Sequence, residues 1–117
     1  MADELTIWFN PDCSKCRTVQ GLLAERGVPA TLVEYLRDTP SREELTRVLG
    51  LLGTDDPRQI MRVDDVLYAQ LGLSDAGRDA LLDAVLAHPV LLQRPIAVLG
   101  DRAVVARPAD RVLELLD

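Results

Sequence analysis

The chain has 117 residues, a mass of 12.9 kDa and a net charge of −6, which predicts a single acidic domain spanning residues 1–117. This charge argues against a general nucleic-acid-binding surface and against binding to an anionic membrane. Two cysteines are too few for a secreted disulfide scaffold, and without an export signal or a run of about 18 apolar residues the sequence predicts a cytoplasmic protein.

The opening of the chain predicts a β-α-β unit. Leu5 to Phe9 is a short β-prone run, and the turn formers Asn10-Pro11-Asp12 close it. Apolar residues then recur at helical spacing from Cys13 to Arg26, and Thr31 to Leu36 predicts a second strand. A right-handed crossover would make the two strands parallel and place the cysteines at the carboxyl end of the first.

Helical patterns replace strands from about residue 41 to residue 88. Ser41 and Glu44 form a capping-box pattern that predicts the start of a helix, and His88-Pro89 predicts where the helical region ends. Three further helical segments are predicted between these points, at 57–61, 63–71 and 75–87.

The last quarter of the chain returns to strands. Ile96 to Leu99 and Ala103 to Ala106 predict a hairpin around Gly100-Asp101, and a helix is expected from Pro108. The order β-α-β, helical insertion at about 41–88, β-β-α predicts the α/β class. Within that class it is typical of a thioredoxin-like fold with a mixed four-stranded sheet.

The two cysteines form a C-x-x-C pair at the start of the first helix. Unpaired amides and the helix dipole favour a thiolate at Cys13, and Lys15 and Arg17 add positive charge nearby. Cys16 lies one turn further on, within reach of a disulfide. Cys13 is therefore the predicted nucleophile, whereas Cys16 is either a resolving thiol or an inert core cysteine. With a single histidine in the chain, no metal site is predicted.

Two segments resemble the glutaredoxin-coupled arsenate reductase family. They are Ile7 to Arg17, with the sequence IWFNPDCSKCR, and His88 to Ile96, with the sequence HPVLLQRPI. The similarity continues in order over nearly the whole chain. Further matches lie at Tyr35-Leu36, 40–45, Arg62, 70–73 and Arg107-Pro108.

The resemblance implies a thioredoxin-like fold and a cysteine that attacks arsenate, which would be Cys13. It also implies that three arginines hold the oxyanion, at the positions Arg62, Arg94 and Arg107. Guanidinium groups suit this role because they donate fixed pairs of hydrogen bonds to a tetrahedral anion.

Two residues are expected to support the site. Thioredoxin-like proteins place a cis-proline against the redox cysteine, and the matching residue is Pro95, although a proline here could equally begin the strand in the trans form. Asn10 is expected either to hydrogen-bond near the thiolate or to form an Asx turn.

Two departures from the family pattern leave a second function open. Many members carry histidine where Phe9 stands, and Cys16 occupies a position that is usually serine. The resulting C-x-x-C is similar to that of Spx-type transcription regulators, which bind RNA polymerase and sense disulfide stress. Arg107 favours the reductase because the regulators do not keep it, and a general thiol-disulfide oxidoreductase is the third alternative.

The reductase interpretation also predicts the partners. No bound cofactor is expected, and electrons would come from an external thiol reductant, either glutathione with glutaredoxin or a thioredoxin-type donor. Arsenate would be the substrate. RNA polymerase would be a partner only of a regulator.

Overall fold

Residues 4–116 are described by a computed structural model, and they divide into two units. The first unit contains residues 4–38 and 94–116, and the second contains residues 39–93. The organisation of residues 1–117 as one domain stays a prediction.

The first unit is built on a mixed four-stranded sheet. Its strands lie in the order β2-β1-β3-β4; β1 is parallel to β2 and antiparallel to β3, and β3 is antiparallel to β4. This topology confirms the predicted sheet. The strands are β1 (Leu5–Phe9), β2 (Ala30–Glu34), β3 (Ile96–Leu99) and β4 (Arg102–Val105).

One helix, α1 (Ser14–Glu25), covers this sheet. Its buried residues Cys16, Val19 and Leu23 recur every three or four positions, so they form the single stripe that packs into the core of the unit. Gly27 ends the helix with a φ of 66°, a left-handed conformation that glycine adopts without steric cost.

Short helices form the second unit. The predicted capping box is present at the start of α2: the Glu44 amide donates to Ser41 Oγ at 3.2 Å, and the Ser41 amide donates to Glu44 Oε1 at 3.1 Å. Within residues 4–116 no helix is long and apolar enough to cross a membrane. The α-helices of the unit are α2 (Arg42–Leu51), α3 (Val66–Gln70) and α4 (Arg78–Ala87), with 3-10 helices at Pro57–Ile60, Leu73–Asp75 and Pro89–Leu91.

Arg58 holds several of these short segments together. Its Nε donates to the Tyr68 hydroxyl at 2.9 Å, and its Nη2 donates to three backbone carbonyls further along the chain. The carbonyls belong to Leu73, Ser74 and Ala76.

Several predicted boundaries were wrong, and local hydrogen bonds explain them. β2 ends at Glu34 instead of Leu36, because the Glu34 carbonyl accepts the amides of Arg37 and Asp38 and turns the chain. The terminal helix is a 3-10 helix, Ala109–Leu115. A 3-10 helix has three residues per turn, which suits a segment whose buried residues, Val112 and Leu115, are three apart.

Candidate active site

The sheet register brings the cysteine loop and the turn after β2 to one edge of the first unit. Phe9, the last residue of β1, pairs in parallel with Glu34, the last residue of β2. The carboxyl ends of parallel strands meet at the same edge, so the loop containing Cys13 lies beside Tyr35, which follows β2.

The same register brings Arg94 and Arg107 to this edge. β3 is antiparallel to β1, with Ile96 opposite Trp8, so Arg94 lies just before β3 at the level where β1 ends. β4 is antiparallel to β3, with Val105 opposite Ile96. Arg107 therefore leaves β4 next to Arg94, and its Nη1 lies 3.4 Å from the Arg94 carbonyl oxygen and donates to it.

Asn10 shapes the cysteine loop. Its side-chain oxygen accepts the Asp12 amide at 2.9 Å, and its carbonyl accepts the Cys13 amide at 3.0 Å. The first contact is the Asx turn that was one of the two roles expected for this residue. Cys13 then occupies the N-cap position of α1, with φ of −96° and ψ of 121°, so the first amides of the helix point toward its sulfur.

These surroundings acidify Cys13. Partial burial raises the pKa of the thiol, but hydrogen bonds from the Cys16 amide, the Arg94 guanidinium, the Cys16 thiol and the Lys15 amide outweigh it and lower the pKa from 9.0 to about 7. About half of the Cys13 side chains are then thiolate at neutral pH. Lys15 thus acts through its backbone, while its side chain and that of Arg17 are exposed.

Cys16 has the opposite protonation behaviour. Its side chain is fully buried, and this burial, together with the nearby Cys13, raises its pKa to about 11, although the Asn10 amide and the charge of Arg94 act in the opposite direction. The Asn10 amide lies 3.4 Å from the Cys16 sulfur. The pair therefore consists of one thiolate and one thiol that donates to it, and neither is in a disulfide.

Both arginines of this edge precede a proline. The Arg94-Pro95 peptide bond is cis, which agrees with the cis alternative considered for Pro95. The Arg107-Pro108 bond is also cis, a feature that the sequence analysis missed. Both arginine residues are partly exposed.

Arg62 lies in the second unit, where it forms an ion pair with Asp65 at 3.2 Å. The Asp65 carboxylate also caps α3 by accepting the Leu67 amide at 2.9 Å. Asp65 therefore fixes the Arg62 side chain relative to α3. The role of Arg62 in holding an anion stays a prediction.

Tyr35 belongs to this site, although the sequence analysis gave it no role. Its side chain is completely buried, and burial raises the pKa of its hydroxyl while the nearby charge of Arg94 lowers it less. The sequence held two signals: Tyr35 lies near the end of the strand predicted over Thr31 to Leu36, and Tyr35-Leu36 is one of the matches to the family.

Comparison with known proteins gives one consistent result. A sequence model of the ArsC family matches residues 8–115. The arsenate reductase of Neisseria meningitidis serogroup A is 43% identical over 115 residues, covering 97% of this chain and 98% of that protein. The arsenate reductase of Haemophilus influenzae is 40% identical and covers 94% of this chain and 97% of its own length.

Solved structures show the same relationship. The structure of an arsenate reductase from Vibrio cholerae superposes with a TM-score of 0.91 at 40% identity, covering 97% of this chain and 98% of that one. Together with the sheet topology, this likeness confirms the predicted thioredoxin-like α/β fold.

Proposed function

The chain is an enzyme of the ArsC family, and we propose that it reduces arsenate, with Cys13 as the nucleophile and an external thiol as the final electron source. The observation that carries this proposal is the acidified Cys13 beside Arg94. A thiol with a pKa of about 7 supplies a nucleophile at neutral pH, and the guanidinium next to it can hold the anion that the thiolate attacks.

The reaction needs two thiols and transfers two electrons. The Cys13 thiolate attacks arsenic(V) and displaces one oxygen, which leaves as water after taking up protons, and a sulfur–arsenic bond forms. A second thiol then attacks the Cys13 sulfur. A disulfide forms, the sulfur–arsenic bond breaks, and its electron pair stays on arsenic, which leaves as arsenite.

Arg94 and Arg107 are the proposed anion ligands from the first unit. Their guanidinium groups share one edge of the sheet with Cys13, and the amides at the start of α1 add further donors there. The family resemblance assigns the third guanidinium to Arg62. Fixed donors of this kind stabilise the negative charge of the anion throughout the attack.

Cys16 is the proposed second thiol. Its side chain interacts with the Cys13 sulfur from one helical turn away, so closure requires little movement. The pKa of Cys16 is about 11, so the Cys16 thiol has to give up its proton as it attacks, and an oxygen bound to arsenic can accept that proton. An external donor, glutathione with glutaredoxin or a thioredoxin-type protein, would then reduce the Cys13–Cys16 disulfide.

A redox-sensing regulator is the second candidate, because a thiolate in contact with a buried thiol is also the arrangement that a disulfide switch needs. Such a protein would bind RNA polymerase in its oxidised form and would not consume arsenate. Arg107 favours the reductase, since its guanidinium contacts the Arg94 carbonyl oxygen and so lies at the same sheet edge as Cys13.

The test is arsenate-dependent consumption of reductant by the purified protein with glutathione and glutaredoxin, and separately with a thioredoxin system. We expect Cys13→Ser to abolish turnover and Arg107→Gln to weaken arsenate binding, while the exposed Arg111→Gln control behaves as the wild type. Cys16→Ser should stop turnover; if it stays active with glutathione, an external thiol attacks Cys13 directly.

No consumption with either donor, together with a melting temperature that arsenate leaves unchanged, would overturn the reductase proposal. Capture of RNA polymerase by the oxidised protein, and not by the reduced protein, would then support the regulator.

A further inference from the structure

Two buried polar atoms at the candidate site have no hydrogen-bond partner. Among the described residues these atoms are the Tyr35 hydroxyl oxygen and Arg94 Nε. Buried polar groups in folded proteins are almost always paired, and an unpaired one is unfavourable. Two such atoms on neighbouring side chains therefore call for a physical explanation.

The two side chains lie close to each other and to the Cys13 sulfur. Tyr35 directly follows β2, whose last residue pairs with the last residue of β1, so Tyr35 lies beside the cysteine loop. Its hydroxyl interacts electrostatically with the Arg94 guanidinium and with both cysteine sulfurs, although its geometry falls short of a hydrogen bond. The Tyr35 ring is fully buried, so the hydroxyl has a fixed position.

We propose that Tyr35 is a positioning residue for Arg94: its hydroxyl oxygen accepts a hydrogen bond from Arg94 Nε when the guanidinium engages the Cys13 thiolate or an anion bound beside it. This contact would pair both unsatisfied atoms and fix the plane of the guanidinium. The terminal nitrogens of Arg94 would then face the Cys13 sulfur and the anion. The identity of the anion as arsenate rests on the proposed function, whereas the effect on the thiol does not.

A phenol suits this role better than a carboxylate. A carboxylate partner would cancel most of the positive charge of Arg94. The neutral phenol can accept the Nε proton and leave the full charge directed at the thiolate. Burial keeps the phenol protonated by raising the pKa of Tyr35.

The experiment compares Tyr35→Phe with Tyr68→Phe. The second substitution is a matched control, because the Tyr68 hydroxyl also accepts a hydrogen bond from an arginine Nε, that of Arg58 at 2.9 Å, but in the second unit. Cys13 alkylation is followed against pH, and binding of arsenate and of inorganic phosphate is measured by titration calorimetry.

For Tyr35→Phe we expect the pKa of Cys13 to rise by about half a unit, which is about threefold less thiolate at pH 6. Arsenate should bind about fivefold more weakly, the effect of losing one ordinary hydrogen bond. Tyr68→Phe should lower the melting temperature and leave the Cys13 titration unchanged. A Tyr35→Phe protein that keeps the wild-type titration and arsenate affinity would overturn the proposal.

The same data separate this proposal from the proposed function. A wild-type protein that fails to reduce arsenate, combined with a raised Cys13 pKa in Tyr35→Phe, would overturn the arsenate chemistry and support the positioning role.

A second measurement is used if the Tyr35→Phe protein does not fold. Tyr68→Phe leaves Tyr35 as the only tyrosine in the chain, so its near-ultraviolet absorbance should shift when arsenate or phosphate binds. An unchanged tyrosine spectrum at saturating anion would overturn the proposal.

Discussion

Native protein treated with iodoacetamide at neutral pH should be labelled at Cys13 and not at Cys16. The pKa of Cys13 is about 7 and that of Cys16 about 11. Only the thiolate reacts, and at pH 7 it makes up about half of Cys13 but only about one part in ten thousand of Cys16. The expected ratio of rates is therefore on the order of several thousand, and the complete burial of Cys16 increases it further.

The assay is timed alkylation between about pH 5 and pH 9.5, with acid quenching, digestion and mass spectrometry of the two cysteine peptides. The Cys13 rate should rise with pH, reach half of its maximum near pH 7 and level off about one and a half units higher. In concentrated urea both thiols should react alike, with midpoints near 9.0, their ordinary value.

Cys16→Ser tests the reasoning directly. It replaces the Cys16 thiol, while the Cys16 backbone amide and the Arg94 guanidinium remain, so the Cys13 midpoint should rise only slightly. Arg94→Gln removes the charge beside the sulfur and should raise the midpoint more, whereas the exposed Arg111→Gln should leave it unchanged. A native Cys13 midpoint near 9, or equal labelling of both cysteines, would refute this account of the site.

Three further predictions concern stability. Because the pKa of Cys13 is lower in the folded than in the unfolded state, the free energy of unfolding should rise between pH 7 and pH 9, and this contribution should be lost as the pH falls through 7. Because the pKa of Cys16 is higher in the folded state, the free energy of unfolding should fall between pH 9 and pH 11. Urea unfolding against pH checks both limbs, and Cys13→Ser should remove the rising one. Arg58→Lys should lower the melting temperature more than Arg42→Lys, since Arg58 binds three carbonyls whereas Arg42 binds two exposed carboxylates. Ser41→Ala should cost about 1 kcal/mol in urea unfolding through loss of the helix cap.

The sequence predicted the bounds of helices and strands where neighbouring residues alone determine them. β1 and β3 have the predicted bounds because each is a short β-prone run that turn-forming residues follow. The start of α2 follows from two side chains three residues apart, Ser41 and Glu44, whose hydrogen bonds need nothing from the rest of the chain. The end of β2 was misplaced because its apolar pattern continues past Glu34, while the turn that stops the strand depends on backbone hydrogen bonds.

The features of the candidate site that depend on residues close in sequence could be predicted, whereas those that depend on residues far apart in the chain were missed. The C-x-x-C spacing at a helix start was enough to rank Cys13 above Cys16 as the nucleophile, and their opposite pKa shifts agree with that order. Tyr35 was missed because its significance comes from Arg94, which is far away in the chain and reaches Tyr35 only through the sheet register. No spacing rule in a single sequence expresses that contact.

Arg94 of the candidate site differs from Arg42 and Arg58 of the second unit in its hydrogen-bond partners, although all three side chains carry the same charge. Arg42 is paired with two carboxylates and Arg58 with carbonyls and a phenol, so their donors are occupied by the fold. Arg94 faces a thiolate and keeps a buried Nε without a partner, so the fold occupies fewer of its donors. A protein with a net charge of −6 can bind a small anion at such a place, because salt screens exposed charges beyond about 8–10 Å and the Arg94 guanidinium beside the Cys13 sulfur dominates within that range. The same acidic surface disfavours polyanions, whose binding depends on many positive charges spread over a larger area.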